Sequence, residues 1–208
     1  MPVNPTACAG ALHPAVAEAA HRAEAGAVGL VDVGGPGGVA LRLDAIGIAY
    51  SDGLRLGDRA APERVTVTLV GRRPVPGRPL PRVASRETVA PTAPEALTAA
   101  LDRVPVGVLP VVTTTWALSG LTLEGRTRFL QRLDAAATHR TVAWVSVEGV
   151  GVAPGVPTLG DRPASGHSIV GLALLEHRSL RVEAVGRGWS RGRHLAWLAG
   201  EGPDEQGR

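Results

Sequence analysis

The stretch AVGLVDVGGPGGVALRLD, residues 27–44, indicates the fold class of this chain. Residues 27–33 are apolar except for Asp32, and four glycines follow within residues 34–38. A segment with the apolar spacing of a short helix then begins at residue 38. An apolar strand that turns sharply toward a helix is typical of a parallel α/β sheet. The glycines either bind a ligand or only turn the chain, and the rest of the sequence bears on that choice.

Length and composition predict one domain whose core is built from small aliphatic side chains. The chain has 208 residues, of which 44% are hydrophobic and only 3% aromatic, so Val, Leu and Ala must fill the interior. No apolar run reaches the ~20 residues of a membrane helix, and we expect neither a signal peptide nor membrane binding. The single Cys8 excludes an internal disulfide and favours a reducing compartment, so we expect a cytoplasmic protein.

Hydrophobic periodicity predicts strands that alternate with helices. The expected architecture is α/β, a Rossmann-like three-layer α/β/α sandwich with a mostly parallel sheet and a C-terminal antiparallel hairpin. A turn at Asp52 and Gly53 is expected to join the second and third strands as an earlier hairpin. The domain is expected over 12–200, between an N-terminal extension at 1–11 and a disordered tail at 201–208. The expected strands are 27–33, 46–53, 63–71, 82–86, 107–116, 141–149, 168–177 and 179–189, and the expected helices are 13–26, 38–45, 94–104 and 124–139.

The glycine-rich turn has the chemistry of a ligand site. A parallel strand ending at Val33 directs its carboxyl end toward the crevice where open α/β sheets bind ligands. Glycines there let a ligand approach the main chain without Cβ atoms in the way, and a following helix offers unpaired N–H groups. The dinucleotide pattern fails because it requires a glycine at Ala40, and the P-loop pattern fails because the chain has no lysine.

The segment LVDVGGPGG, residues 30–38, resembles the first motif of S-adenosylmethionine-dependent methyltransferases, in which an apolar strand and an acid precede a glycine turn. This resemblance implies that S-adenosylmethionine is the cofactor and that the turn binds it. A purely structural glycine turn is the alternative. The implied cofactor-binding residues are Asp32, Gly34, Gly35, Pro36, Gly37 and Gly38.

A wider resemblance covers roughly residues 12–199. The segments GLVDVGGPGGVALRLDAIGIAYSDG (29–53), VVTTTWALSGLTLEGRTRFLQRL (111–133), VAWVSVEGVGV (142–152) and GRHLAWLA (192–199) resemble, in the same order, segments of a bacterial family, the domain of unknown function 2332. That family is similar to methyltransferases in fold, and its activity is not established. The resemblance therefore implies a fold and a cofactor pocket but no particular reaction.

Three departures from the family pattern affect this pocket. Only about 26 residues precede the glycine strand, where the family carries a long helical region, and the middle segment is shortened to SRETVAP (85–91). In place of the family's SAGLNL the chain has PGGVAL, residues 36–41. These departures favour a second hypothesis, a degenerate non-catalytic module that binds a small ligand weakly or binds a protein partner. A third hypothesis, NAD-dependent reduction, is weakened by the glycine register and by the closing hairpin.

Other polar residues are candidates for the same crevice. Glu87 is the favoured acid for the ribose hydroxyls of the cofactor, and Asp52, which lies 20 residues after Asp32, is the alternative. Trp116 lies at the C-terminal end of the predicted strand 107–116 and is expected either to stack on an adenine or to line the core or the rim of the pocket. Ser146 and Glu148 end the next strand and are the weak catalytic candidates, with Glu148 as a general base.

The remaining features favour structural roles. Asp44 is expected to cap or pair, Trp197 is expected to pack in the sheet, and His194 is either a surface residue or an edge of the pocket. The six histidines show no metal-ligand spacing, so no metal site is expected. Ser119 lacks a nucleophile elbow. The arginines between residues 72 and 86 are interrupted by four prolines, so we expect no nucleic-acid partner.

Overall fold

The computed structural model describes residues 5–177 and 179–200. These residues form a mixed α/β fold, as the alternation of strands and helices predicts. The helices are α1 (Ala9–Arg22), α2 (Pro94–Asp102) and α3 (Leu123–Ala136). The strands are β1 (Ala27–Val33), β2 (Gly47–Tyr50), β3 (Arg55–Gly57), β4 (Arg64–Leu69), β5 (Arg82–Val89), β6 (Leu109–Thr115), β7 (Val142–Gly149), β8 (Ser168–Glu176), β9 (Ser179–Trp189) and β10 (His194–Trp197).

All ten strands join one sheet in the order β3-β2-β4-β10-β9-β8-β7-β6-β1-β5. Strands β5, β1, β6 and β7 are parallel, and β10, β4 and β2 form a second parallel group. The antiparallel strands β8 and β9 connect the two groups. The sheet is therefore mostly parallel, and the predicted C-terminal hairpin is confirmed as β8 and β9. The hairpin is predicted to join at Arg178–Ser179; Ser179 is the first residue of β9, whereas residue 178 and the predicted tail lie outside the described residues.

The two faces of the sheet have separate cores, which gives three layers. On β1, Val28 and Leu30 belong to the core that contains α1, while Val31 and Val33 belong to the core that contains α2 and α3. Strand β7 alternates in the same way. This alternation follows from the two-residue period of a strand. The parallel strands are continuous apolar runs because both of their faces are buried.

The connection from β1 to its neighbour β5 is not a simple helical crossover. Residues 34–81 intervene, and they form a 3-10 helix (Pro36–Ala45) and strands β2, β3 and β4, which lie toward the other end of the sheet. The helix predicted at 38–45 is this 3-10 helix, whose course is broken by positive φ angles at Gly37 and Gly38. A doubly wound sheet would instead join neighbouring parallel strands through one helix.

The hairpin predicted from residues 46–53 and 63–71 is wrong. The turn at Asp52 and Gly53 leads into β3, which the sequence did not indicate because it is only three residues long. Strand β3 pairs antiparallel with β2, and β4 then pairs with β2 in the parallel direction. The inserted strand reverses the chain once more, so that β2 and β4 run the same way.

Helix α1 is buried on nearly all of its surface, which explains its alanine-rich composition. It begins at Ala9, so residues 5–11, expected as an extension, form a 3-10 helix (Pro5–Cys8) and the first turn of α1. Residues 6–11 are buried. Pro14 lies inside the helix and cannot donate to the carbonyl of Gly10. The hydroxyl of Tyr50 on β2 donates to that carbonyl oxygen at 2.7 Å instead, which satisfies the buried acceptor.

Candidate functional site

Asp32 fixes the start of the glycine turn from inside the protein. Its side chain lies on the α1 face of β1, only 1% of the residue is exposed, and Thr113 Oγ1 on β6 donates to its Oδ1 at 3.1 Å. Burial raises the pKa of Asp32, and hydrogen bonds from Thr113 and from the Gly35 amide oppose that rise. Asp32 is thus positioned to hold the turn, since its carboxylate binds the turn's own backbone.

The turn that Asp32 holds is open to solvent. Gly34 and Gly37 are exposed, and both have positive φ angles, of 65° and 64°. Gly34 is also wedged between neighbouring loops, because a Cβ atom there would lie 2.8 Å from Pro91 and 3.2 Å from Ala117. A Cβ atom at Gly38 would meet no atom within 4 Å. The main chain of the turn is therefore accessible at the carboxyl end of β1.

The segment after the turn provides fewer donors than the sequence suggested. The expectation of a helix N-terminus with several unpaired N–H groups is wrong, because the segment is a 3-10 helix that contains left-handed glycines. Pro36, at its first position, has no N–H, and the N–H of Gly38 bonds to the carbonyl of Gly35 at 3.4 Å. Any anionic group bound here would meet single amides rather than an aligned helix dipole.

The predicted site residues divide between the two faces of the sheet. Asp32 and Thr113 face α1, since they continue the alternation of core residues on β1 and β6. Ser146 and Glu148 face α3, on the side of Val142 and Trp144. The structure therefore does not bring Glu148 to the same side of the sheet as the carboxylate of Asp32.

The two acids considered for ribose binding are engaged elsewhere. Glu87 lies on β5 two residues before its end, and its Oε2 accepts from Arg103 Nε at 2.8 Å and Nη2 at 2.7 Å. Arg103 follows α2, so this pair lies on the face opposite Asp32. Asp52 caps the β2–β3 turn through the Leu54 amide at 3.0 Å. Asp44, expected to cap or pair, forms an ion pair with Arg86 at 2.5 Å.

Trp116 is the aromatic residue among the predicted site residues, and it follows the carboxyl end of β6. It has a positive φ of 52° and is half-buried. Its indole Nε1 donates to Ser168 Oγ at 2.9 Å, and the guanidinium of Arg191 lies 5.7 Å from its ring centroid. The sequence pattern did not indicate these two partners, which are 52 and 75 residues away along the chain. Ser168 holds the edge of the ring at the end of β6, and Arg191 lies over one of its faces.

Glu148 is a buried carboxylate that anchors the loop after β6. Its Oε1 accepts from the backbone N–H groups of Ala117 and Leu118, at 3.0 and 3.1 Å. Burial raises its pKa to about 7, although these amides, the Thr114 hydroxyl and Arg126 oppose the rise in that order. Its Oε2 has no hydrogen-bond partner of ordinary geometry among the described residues. Glu148 therefore titrates near neutrality while it holds the loop.

Ser146 lies two residues before Glu148 on the same face and is enclosed. Its Oγ has no hydrogen-bond partner within the described part of the chain. A Cβ atom added at Gly171 would lie 2.5 Å from that oxygen and 2.7 Å from Val156, which shows how tightly the site is packed. A nucleophile or base must reach its substrate, and neither Ser146 nor Glu148, each 1% exposed, reaches solvent.

The other candidates have structural surroundings. Trp197 is 2% exposed and packs in the α1 core, as expected. His194 is half-buried and pairs with Trp189 across β10 and β9. Cys8 is buried, which raises the pKa of its thiol to about 12. His13, which no sequence pattern indicated, is buried in α1, and burial lowers its pKa to about 4.

The described residues contain neither a metal-ligand cluster nor a membrane-spanning helix. No three His, Cys, Asp or Glu side chains there come together as ligands for one metal ion. None of the helices in that part of the chain is long and apolar enough to cross a membrane.

Comparisons with known proteins identify the family. A family model described as "uncharacterized protein conserved in bacteria (DUF2332)" matches residues 3–91 and 87–197. The two matched segments overlap at residues 87–91, within the segment SRETVAP. No curated protein and no solved structure matches the chain. Because the matched segments cover nearly all of its length, this chain belongs to the DUF2332 family.

Proposed function

We propose that this protein binds S-adenosylmethionine through the backbone of the glycine turn at Asp32–Gly38. The observation that carries the proposal is an exposed turn whose main chain is held from inside by a buried carboxylate. Asp32 binds Thr113 and the Gly35 amide, and so keeps the turn in one conformation. Gly34 and Gly37 leave the main chain uncovered, so a ligand can approach it closely.

The residues at the turn fit part of such a ligand. In the proposed complex the backbone of Gly37 and Gly38 would contact the ligand, and the Trp116 ring, at the end of the neighbouring strand β6, would provide an apolar surface. An acid for the ribose hydroxyls is not supplied by Glu87, whose carboxylate is bound by Arg103 on the other face. Bound S-adenosylmethionine would supply a transferable methyl group, and the chain would contribute chiefly by holding donor and acceptor close together.

A second candidate function is binding without catalysis. The specific observation in its favour is that Ser146 and Glu148, the weak catalytic candidates, are enclosed on the α3 face, away from Asp32. The turn would then bind a small ligand in a protein that transfers no group. Binding is common to both candidates, so binding is what the first experiment tests.

The experiment uses two glycines with the same backbone conformation. Gly38 and Gly107 both have positive φ angles, of 60° and 78°, and a Cβ atom at either would meet nothing within 4 Å. Gly107 precedes β6, at the amino end of the parallel strands, whereas Gly38 follows their carboxyl end. Alanine at either position costs a similar backbone strain, but only Gly38→Ala places an atom where the ligand would lie.

Thermal unfolding is measured with S-adenosylmethionine, S-adenosylhomocysteine and, as a control, NADH. A ligand that binds only the folded state stabilises it by about 2.7 kcal/mol at 100 times its Kd. We expect the two adenosyl ligands to raise Tm in the parent protein and in Gly107→Ala, and to raise it much less in Gly38→Ala. The proposal fails if millimolar ligand leaves the parent Tm unchanged, or if both variants respond equally.

A further inference from the structure

A pocket of about 200 Å³ lies between strands β2, β3 and β4. Its floor is made by small residues, Gly47 and Ala49 of β2. In the strand register Arg55 of β3 lies opposite Ala49, and Arg64 of β4 lies opposite Gly47. Two arginines therefore flank the central strand, one on each side, and small residues leave the space between them open.

This pocket lies on the face of the sheet that points away from α1. The intervening residues Ile48, Leu56 and Val65 belong to the core that contains α1. Because side chains alternate along a strand, Ala49, Arg55 and Arg64 project from the opposite face. The arginines and Asp58 are exposed, and Arg59 in the β3–β4 loop completes the rim.

Gly47 is required by the shape of this pocket. A Cβ atom at that position would lie 2.8 Å from the carbonyl oxygen of Asp58 and 3.3 Å from Arg64 Cγ. The first distance is closer than real Cβ atoms approach backbone. The loop that carries Arg59 can therefore pack beside β2 only because a glycine lies beneath it.

The charges of the pocket are not balanced. Arg55, Arg59 and Arg64 form no ion pair with any described residue. Arg64 donates from Nε to the Ala61 carbonyl and from Nη2 to the Arg59 carbonyl, each at 3.0 Å. These bonds orient its guanidinium without neutralising it. Asp58 is the single lining carboxylate, and its Oδ1 accepts from the Ala60 amide at 2.8 Å.

We infer that this arginine pocket binds a phosphate group, either free phosphate or the phosphomonoester of a small molecule. Three cations and one carboxylate leave two positive charges, and a phosphomonoester carries about two negative charges near neutral pH, whereas a simple carboxylate carries one. Guanidinium groups match phosphate oxygens in pairs. The volume is below the roughly 300–1,000 Å³ of sites for drug-sized ligands, so it suits a single anionic group.

The arginine pocket is separate from the glycine turn. Six strands lie between β2 and β1 in the sheet order, and the two sites share no residue. The inference therefore rests on its own observations and is independent of the function proposed above.

The test compares two double variants that each remove two positive charges. Arg55→Gln with Arg59→Gln changes the pocket, while Arg64 is kept because it supports the loop. Arg72→Gln with Arg132→Gln is the control, since both of these arginines are exposed and neither forms an ion pair with a described residue. Binding is measured by titration calorimetry at constant ionic strength, with inorganic phosphate, glycerol 3-phosphate, acetate and a short single-stranded oligonucleotide as probes.

We expect saturable binding of phosphate or glycerol 3-phosphate by the parent protein and by the control variant. Binding should be about tenfold weaker, or lost, in the pocket variant, because two charge-assisted donors are removed. Binding of both probes assigns the pocket to phosphate itself, and binding of glycerol 3-phosphate alone assigns it to a phosphorylated small molecule. The inference is overturned if neither phosphate binds, if acetate binds equally well, or if only the oligonucleotide binds. Equal weakening in both double variants also overturns it, because that indicates a response to net charge.

Discussion

Replacing Glu148 by glutamine should change how stability depends on pH. Glu148 is 1% exposed, and burial raises its pKa to about 7 from the model-compound value of 4.5. The folded state therefore holds this proton more tightly than the unfolded state does. The stabilisation that comes from the protonated form is complete below pH 4.5 and is lost as the pH rises through 7. Glutamine keeps an oxygen for the Ala117 and Leu118 amides and removes the titration.

The size of the effect follows from these two pKa values. Relative to a group that never ionises, the raised pKa lowers the free energy of unfolding by about 1 kcal/mol at pH 5 and about 3 kcal/mol at pH 8. The free energy of unfolding of Glu148→Gln, measured relative to that of the parent protein, should therefore rise by about 2–3 kcal/mol from pH 5 to pH 8. For a chain of this length, that corresponds to a change of about 5–10 °C in the difference of Tm.

Urea unfolding of both proteins at pH 5, 6, 7 and 8 measures this difference directly. Other buried groups that titrate, such as His13 and Asp32, are present in both proteins and cancel in the comparison. The exposed Glu124→Gln on α3 is the control, and its curve should run parallel to that of the parent. If the Glu148→Gln and parent curves are also parallel from pH 5 to pH 8, the argument from burial is refuted.

Three further predictions concern the packing of α1. Tyr50→Phe removes the donor to the Gly10 carbonyl and should lower the free energy of unfolding by about 1–3 kcal/mol. In a Pro14→Ala background, where residue 14 regains its N–H, the loss of stability should be smaller. An equal loss in both backgrounds would contradict the role of Tyr50 as the substitute donor. Gly10→Ala places a Cβ atom 2.3 Å from Val67 Cγ2 and should lower the free energy of unfolding by about 1–3 kcal/mol. Chemical denaturation should show that adding Val67→Ala restores part of this stability. Cys8 should resist a thiol reagent at pH 8 until urea unfolds the protein, because burial raises the pKa of its thiol to about 12. Rapid labelling of the native protein would contradict this prediction.

The sequence predicted most of the regular structure because that structure depends on short-range patterns. Strands β1, β6 and β7 are continuous apolar runs and β4 alternates, so their periods are plain in the sequence. Helix α3 begins where Thr122 caps it through the Gly125 amide at 3.1 Å, a signal that is local. Strand β3 was missed because three residues carry too little periodicity.

The candidate site shows where sequence reasoning reaches its limit. The order of the chain correctly indicates that Asp32, Glu87 and Glu148 lie near the carboxyl ends of parallel strands. It also shows that Ser146 and Glu148 share a face, because they are two residues apart. It does not show which face of β7 matches the Asp32 face of β1. Which face of β7 lies on the same side of the sheet as Asp32 depends on the register of strand pairing. It also depends on which face of the sheet each connecting helix covers.

By itself, the sequence determined the mixed α/β class, the glycine turn after β1 and the family. Each of these depends on residues that are close in the chain or on the order of segments. Tertiary structure alone decided that Asp32 and Glu148 lie on opposite faces, that Arg103 binds Glu87, and that Arg55 and Arg64 flank Gly47 and Ala49. Those relations join residues through strand pairing and layer packing, which bring distant parts of the chain together and leave no periodic signal in the sequence.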